Sequence, residues 1–313
     1  MELRQLRYFI TIAEYGSFSR AAQVANVAQS ALSHQLSLLE GELGTRLLHR
    51  MPRGVTPTEA GRAFLAHAVS VLRQIEDAKA SVRGPLGQPR GKVSLGVPSS
   101  VCNALAAPLL RSVRAQLPGV ELEMTEQASG ALATQLHSGL INLAVLFDDV
   151  DLAQYISRPL VEEGFYLISS KPVAGDGDGF VTLKRALEGP LVLASQQQGV
   201  RRIIEATARR HGLKQPNVVA ELNSVNILRS ALVAGIGDTI LPPMSLWHEL
   251  ETGLLHGCPI RQPVFQRSVH ICASAVVPMT APTAAVFELI SRLSRQLADG
   301  GDWINARSHP AHS

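Results

Sequence analysis

Residues 17–42, SFSRAAQVANVAQSALSHQLSLLEGE, constrain the fold more than any other stretch of this chain. They read as two short helices joined by a tight turn, the geometry that sets a helix in the major groove of DNA. Ser17 is placed to cap the first helix, whose apolar side is Phe18, Ala21, Ala22 and Ala25. Asn26 tolerates left-handed backbone angles and marks the turn. Leu32, Leu36 and Leu39 recur at helical spacing in the second helix, which leaves Gln29, Ser30, Ser33, His34 and Ser37 on its free face. Short, polar, mostly uncharged side chains suit hydrogen bonding to base edges. The same pattern also fits an ordinary helical hairpin with a solvated face.

Residues 43–61, LGTRLLHRMPRGVTPTEAG, separate these readings. Residues 46–50 read as a short strand, 51–54 as a hairpin tip and 55–56 as the return strand, after which Thr58 caps a new helix. Arg46, His49, Arg50 and Arg53 crowd the hairpin. A basic hairpin beside such a helix makes a winged helix-turn-helix, with Arg50 and Arg53 set against phosphates. Residues 1–90 carry eleven Lys/Arg and seven Asp/Glu, a net +4 in a chain whose total is +3. The positive charge is thus concentrated in the N-terminal part, as a footprint for DNA requires. The helix from Thr58 runs to about Arg83. Gly61, Phe64, Ala68, Val71, Ile75, Ala78 and Val82 follow a 3-4 spacing along it. This heptad seam fits a coiled-coil dimer, and also an amphipathic helix packed on its own domain.

Residues 1–65 resemble the DNA-binding domain of LysR-type transcriptional regulators. The strings that carry the resemblance are LRQLRYFITIAEYGSFSRAAQVANVAQSALSHQLSLLEGELGTRLLHR and RGVTPTEAG. Ser30 stands where that family usually has Pro, His34 where Arg is common and Leu48 where Phe is common; the first two bear on base preference. RGVTPTEAG, with EQASG at residues 126–130 and LAV at 143–145, looks closest to the nitrogen-assimilation-control branch, and regulators of aromatic-acid catabolism are the rival.

The rest of the chain is long enough for further compact units, and 46% hydrophobic residues can bury a sizeable core. No apolar run approaches the ~18 residues of a membrane span. The polar N-terminus does not read as a signal peptide. Three widely spaced cysteines, Cys102, Cys258 and Cys272, suit a reducing, cytoplasmic setting, where they serve as small apolar residues, a redox-sensing pair being the alternative. The Gly/Pro-rich residues 84–91 mark a hinge. Strands are expected at 92–97, 120–126 and 143–147, with helices at 103–116 and 131–138 between them, a parallel α/β arrangement. A second such unit has strands at 163–169, 191–194, 218–222 and 239–241 and helices at 200–211 and 227–234. A strand at 269–275 and a helix at 281–296 return to the first. This pairing resembles the type-2 periplasmic-binding-protein fold of the LysR effector domain, where the ligand sits between the two units.

The fold class expected is therefore mixed α+β and α/β. A winged helix-turn-helix at 1–60 is followed by a linker helix and hinge at 61–90 and an effector domain at 91–300. Its subdomain I would hold 91–160 and 266–300, its subdomain II 161–265, with 301–313 a flexible tail. Ser99 and Ser100 follow a strand and begin a helix, which suits an anion. Ser129 and Phe147 lie at neighbouring strand ends, and Ser195 and Gln196 mirror Ser99 and Ser100 in the second unit. Together these six form a candidate effector site for a small carboxylate, although Ser before a helix is also an ordinary cap. No Lys or Arg adjoins either turn, the nearest candidates being Arg201 and Arg202 in the following helix, so such a site would rest on neutral donors and the helix dipole. The ten histidines show no metal-ligand spacing, and Gly235-Ile236-Gly237 follows a helix rather than a strand. Neither a metal, a cofactor nor an enzymatic activity is expected. The expected function is DNA binding modulated by a small effector, in a homodimer or homotetramer with RNA polymerase a candidate partner. The alternatives are an effector-independent regulator and a cytoplasmic solute-binding module.

Overall fold

The computed structural model of the chain describes residues 1–51, 54–83, 89–176, 179–195 and 199–309. They form two compact units, Met1–Pro85 with His137–Leu140, and Leu86–Leu136 with Ile141–Ser313.

The first unit runs α1 (Leu3–Tyr15), α2 (Phe18–Ala25), α3 (Gln29–Leu43), β1 (Leu48–Met51), β2 (Gly54–Pro57) and α4 (Glu59–Arg83). Ser17 Oγ accepts from the Arg20 N–H at 3.4 Å and caps α2, and Asn26 ends it at φ 52°. Leu32, Leu36 and Leu39 are buried against Leu6, Phe9, Ile12 and Ala21. Each large side chain so buried contributes about 1.5–3 kcal/mol. Glu40 Oε1 accepts from the Leu47 and Leu48 N–H groups at 2.8 and 3.2 Å, which fastens the β1–β2 hairpin to the end of α3. Thr58 Oγ1 caps α4 by accepting from the Gly61 N–H at 2.9 Å. A Cβ on Gly61 would stand 1.9 Å from the Leu47 carbonyl oxygen, so only glycine lets the helix lie this close to the hairpin.

The seam along α4 divides. Gly61 and Ala68 are buried and Phe64 packs on Phe9, ring centroids 5.5 Å apart, so this stretch covers the unit's own core. Val71 is 41% exposed, Ile75 is half-buried and Ala78 is exposed. The Val82 side chain and residues 84–88 of the expected hinge lie outside the described residues.

In the second unit the order is β3 (Gly91–Val97), α5 (Ser99–Gln116), β4 (Val120–Glu126), α6 (Ser129–His137), β5 (Leu143–Phe147), β6 (Tyr155–Gly164), β7 (Tyr166–Ser169), β8 (Val181–Thr182), α7 (Leu183–Ala186), β9 (Pro190–Ala194), α8 (Gly199–Arg210), β10 (Asn217–Leu222), α9 (Val225–Val233), β11 (Thr239–Leu241), α10 (Trp247–Glu251), β12 (His256–Arg261), β13 (Gln266–Ser274), α11 (Ala281–Asp299) and β14 (Ala306–Ser308). One half is a six-stranded sheet, β14-β6-β13-β5-β3-β4, with Leu105 and Leu109 of α5 and Phe287 and Ile290 of α11 in its core. β3 lies parallel to β4 and β5, and β13 runs antiparallel between β5 and β6. The other half holds the sheet β11-β7-β12-β8 and the parallel pair β10-β9.

Three expectations need correction. Residues 163–169 are not one strand. The chain leaves the large sheet at the end of β6, buries Phe165 completely, and enters the other half as β7. Residues 161–164 thus belong to the first half. β6 itself has a register shift where Pro159, which has no N–H to donate, faces His270 of β13. The segment from 301 is also not a loose tail. Trp303 is 1% exposed in the core of the first half, the Gly164 N–H donates to the Asn305 carbonyl at 2.9 Å, and β14 pairs with β6. Residues 310–313 lie outside the described residues.

The divided seam makes a prediction about stability. Ala68→Glu buries an unpaired charge and should unfold the first unit, at a cost of several kcal/mol. Val71→Glu, at an exposed position of the unit, should cost its own fold ~0.5 kcal/mol or less, so any larger loss of stability reports lost association between copies of the chain. Chemical unfolding followed by circular dichroism measures both.

Candidate DNA interface and effector cleft

The polar face of α3 is open. Gln29, Ser30, His34 and Ser37 are exposed and Ser33 is half-buried. Ser37 Oγ donates to the Ser33 carbonyl at 3.0 Å, and two others have side-chain partners already. Ser19 donates to Gln29 Oε1 at 3.0 Å, and Arg50 Nη2 donates to Ser33 Oγ at 3.0 Å. The Arg50 guanidinium also lies 4.7 Å from the centre of the Phe18 ring. Arg50 of the wing is thereby held to α3 by an exposed bond and to α2 by a cation–π contact, each worth about 1 kcal/mol. Arg53 lies outside the described residues.

The second cluster lies where α5, α6, β5, β6 and β13 converge in the second unit. Ser99 donates to Glu126 Oε1 at 2.5 Å. Ser100 donates to Glu163 Oε1 at 3.3 Å and accepts from Arg267 Nη2 at 2.8 Å. Glu163 and Arg267 are 1% and 4% exposed at the side chain, and Arg267 Nε donates to Glu163 Oε1 at 2.6 Å. The guanidinium carbon sits 3.4 Å from the centre of the Phe147 ring, and the Trp303 indole N–H donates to Glu163 Oε2 at 3.3 Å. Ser129 donates to Asp149 Oδ1 at 3.4 Å and accepts from the Phe147 N–H at 3.3 Å. Asp149 in turn pairs with Arg202 of α8 at 3.3 Å, across the two halves. Burial pushes the Asp149 carboxyl up, and Arg202 and then Arg267 pull it back.

Known proteins match both parts of the chain. A family model described as LysR substrate binding domain matches residues 86–295, and one described as bacterial regulatory helix-turn-helix protein, lysR family, matches residues 3–62. The chain belongs to the LysR family. Among its LysR relatives, the nitrogen assimilation regulatory protein nac of Klebsiella aerogenes is 39% identical over 245 residues, 77% of this chain and 78% of that protein. The nac protein of Escherichia coli (strain K12) is 34% identical over 244 residues, with 77% and 78% covered. These two support a nitrogen-assimilation-control-like branch of the family. Solved LysR regulators share the fold. A cysteine variant of full-length OxyR from Pseudomonas aeruginosa has a TM-score of 0.70 at 23% identity, covering 94% of this chain and 95% of its own. Full-length CbnR complexed with its target DNA has a TM-score of 0.70 at 21% identity, covering 94% and 100%. The protein is a LysR-type DNA-binding transcriptional regulator with an effector-binding domain.

Within this LysR domain the structure gathers Ser99, Ser100, Ser129 and Phe147 at one place, as the sequence expects. Ser195 is half-buried in the other half, and Gln196 lies outside the described residues. The expected absence of a cation is corrected. Arg267 stands far from these serines in sequence, and the β13 pairing with β5 and β6 brings it among them. Glu163, Asp149 and Trp303 escaped the sequence reading for the same reason: each is a single residue whose role is set by strand order. Glu163 is flanked by Glu162 and Gly164 and Arg267 by Gln266 and Ser268, so neither stands out locally, and only the order of the strands says that they meet. Cys258 and Cys272 are buried and Cys102 is half-buried, all three unpaired, and burial pushes the Cys272 thiol up to about 12. Among the described residues no group of three or more His, Cys, Asp or Glu could hold a metal ion.

The buried pair has a measurable consequence. Glu163→Gln leaves a buried guanidinium without its countercharge and should cost about 3–5 kcal/mol. Glu163→Met combined with Arg267→Met should cost less than either single change. A double variant as unstable as the two single costs added together would contradict this.

Proposed function

We propose that this LysR-type regulator binds promoter DNA through Gln29, Ser30, Ser33 and His34, and that a small anionic metabolite modulates it from the cleft of the effector unit. The observation that carries the reading is the open polar face of α3 with Arg50 fastened beside it. The four α3 side chains reach base edges, while Arg50 and Arg53 meet phosphate. On this reading residues 1–60 engage DNA, residues 61–90 join copies of the chain, and residues 91–300 sense the effector. The exposed half of the α4 seam at Val71 and Ile75 supplies the surface for a homodimer, which can pair again as a homotetramer. The protein acts in the cytoplasm on double-stranded DNA, with RNA polymerase as the partner that promoter control requires, and it is not an enzyme and uses no cofactor. No helix among the described residues is long and apolar enough to cross a membrane. Kinship with the nac proteins makes genes of nitrogen metabolism the first targets to examine.

The effector is a small carboxylate placed near Ser99, Ser100, Ser129 and Phe147, facing Ser195 and Gln196, with Arg267 as the cation. One observation favours a second reading, a regulator that needs no metabolite: the serine hydroxyls are engaged with carboxylates of the chain itself.

Genome-wide mapping of bound DNA tests the DNA reading. It should return discrete promoter sites with paired half-sites. Ser33→Ala should relax base preference at a cost of about 1–3 kcal/mol, whereas Arg53→Ala should weaken all sites alike and lower the salt slope by about one unit. Diffuse binding by the wild type, or an altered base preference in Arg53→Ala with its salt dependence intact, would overturn these roles.

A further inference from the structure

Three serine hydroxyls expected to hold an effector donate instead to carboxylates of this chain: Ser99 to Glu126, Ser100 to Glu163 and Ser129 to Asp149. Glu126 and Glu163 stay within the first half, on β4 and β6. Asp149 reaches across. Arg202 Nη2 of α8 donates to Asp149 Oδ2 at 3.3 Å and to its main-chain carbonyl at 3.4 Å. The Asp149 side chain is 6% exposed, so this carboxylate is enclosed rather than dangling at a rim. Its fit is close. A Cβ on Gly199, the first residue of α8, would stand 1.8 Å from Asp149 Oδ2, so the carboxylate occupies space that only a glycine leaves free. The first turn of a helix has unpaired N–H groups and favours a negative charge there. Burial nevertheless raises the Asp149 pKa above its ordinary value in spite of Arg202 and Arg267.

We propose that Asp149 is a built-in ligand of the cleft. Its carboxylate takes the seat of a small carboxylic acid between Ser129 of one half and Gly199 and Arg202 of the other, and it ties the halves together with no metabolite bound. The proposal rests on reading this cleft as the effector site. It adds that an external carboxylate competes with Asp149 for that seat, and that a ligand shifts the domain only by displacing it.

Removing the side chain should open the seat. In the full-length protein, acetate should raise the thermal midpoint of Asp149→Ala above that in chloride of equal ionic strength, and leave the wild type unmoved. The half-saturating acetate concentration should rise by about tenfold when Arg202→Gln is added, a factor equal to ~1.4 kcal/mol of binding. Equal responses to acetate and chloride in Asp149→Ala, or the same acetate response in the wild type, would overturn the proposal. If the alanine variant does not fold, Asp149→Asn keeps the shape and carries the test. Its amide hydrogen exchange over residues 203–207, whose N–H groups bond to the first turn of α8, should quicken about tenfold as the tie is lost, and unchanged exchange would overturn the proposal. Neither readout involves DNA or transcription. A protein whose DNA binding ignores every metabolite would count against the effector reading and leave the Asp149 result standing.

Discussion

The effector unit is organised around one buried ion pair, Glu163 with Arg267. Enclosing two charges costs several kcal/mol per ion, which their attraction offsets only when the remaining donors and acceptors are satisfied. Here they are. Ser100 Oγ and the Trp303 indole complete the polar partners, and the Phe147 ring lies against the guanidinium. Each partner arrives from a different element: α5, the segment after α11, β5, β6 and β13. Losing either charge strands the other, so the pair fixes where these elements meet more than it adds to stability. That constraint explains why the C-terminal segment is packed, since Trp303 closes the core and supplies a hydrogen bond to Glu163 in one side chain.

The DNA face follows a different logic. Its contacts, Ser19 with Gln29 and Arg50 with Ser33, are exposed and individually weak. Exposed polar pairs contribute little net energy, so exchanging them for base edges or phosphates costs little. In the cleft Ser99 pairs with the exposed Glu126, but the partners of Ser100 and Ser129, Glu163 and Asp149, are enclosed, and displacing those two is correspondingly harder. One chain therefore combines a recognition surface that is readily re-partnered with a cleft whose donors are already committed.

Local chemistry in the first unit was legible in the sequence because its signals are short-range. Ser17, Asn26 and Thr58 mark helix ends by their own hydrogen bonds or backbone angles, and Leu32, Leu36 and Leu39 mark a buried stripe by spacing. The α/β order of the second unit was legible for the same reason. What escaped depends on pairing between distant strands. Residues 165–168 carry strand-forming side chains, and Gly164 is the one local sign of a break, too weak by itself to say that the chain changes sheets at Phe165. β12 hides behind Gly257 and Pro259, which blur its alternation. Trp303 sits in a polar string that reads as solvated, and its burial is fixed by the sheet it covers. Arg267 is one basic residue in a strand until β13 is placed between β5 and β6.

A double-mutant cycle between Ser100→Ala and Trp303→Phe in unfolding of the effector unit measures the central claim most directly. The two side chains touch Glu163 on different oxygens, one on Oε1 and one on Oε2. If the buried pair joins the cleft to the C-terminal segment, their costs should be non-additive by at least ~0.5 kcal/mol. Additive costs would mean that the cleft and the C-terminal segment are energetically separate, and the account built on the pair would fail.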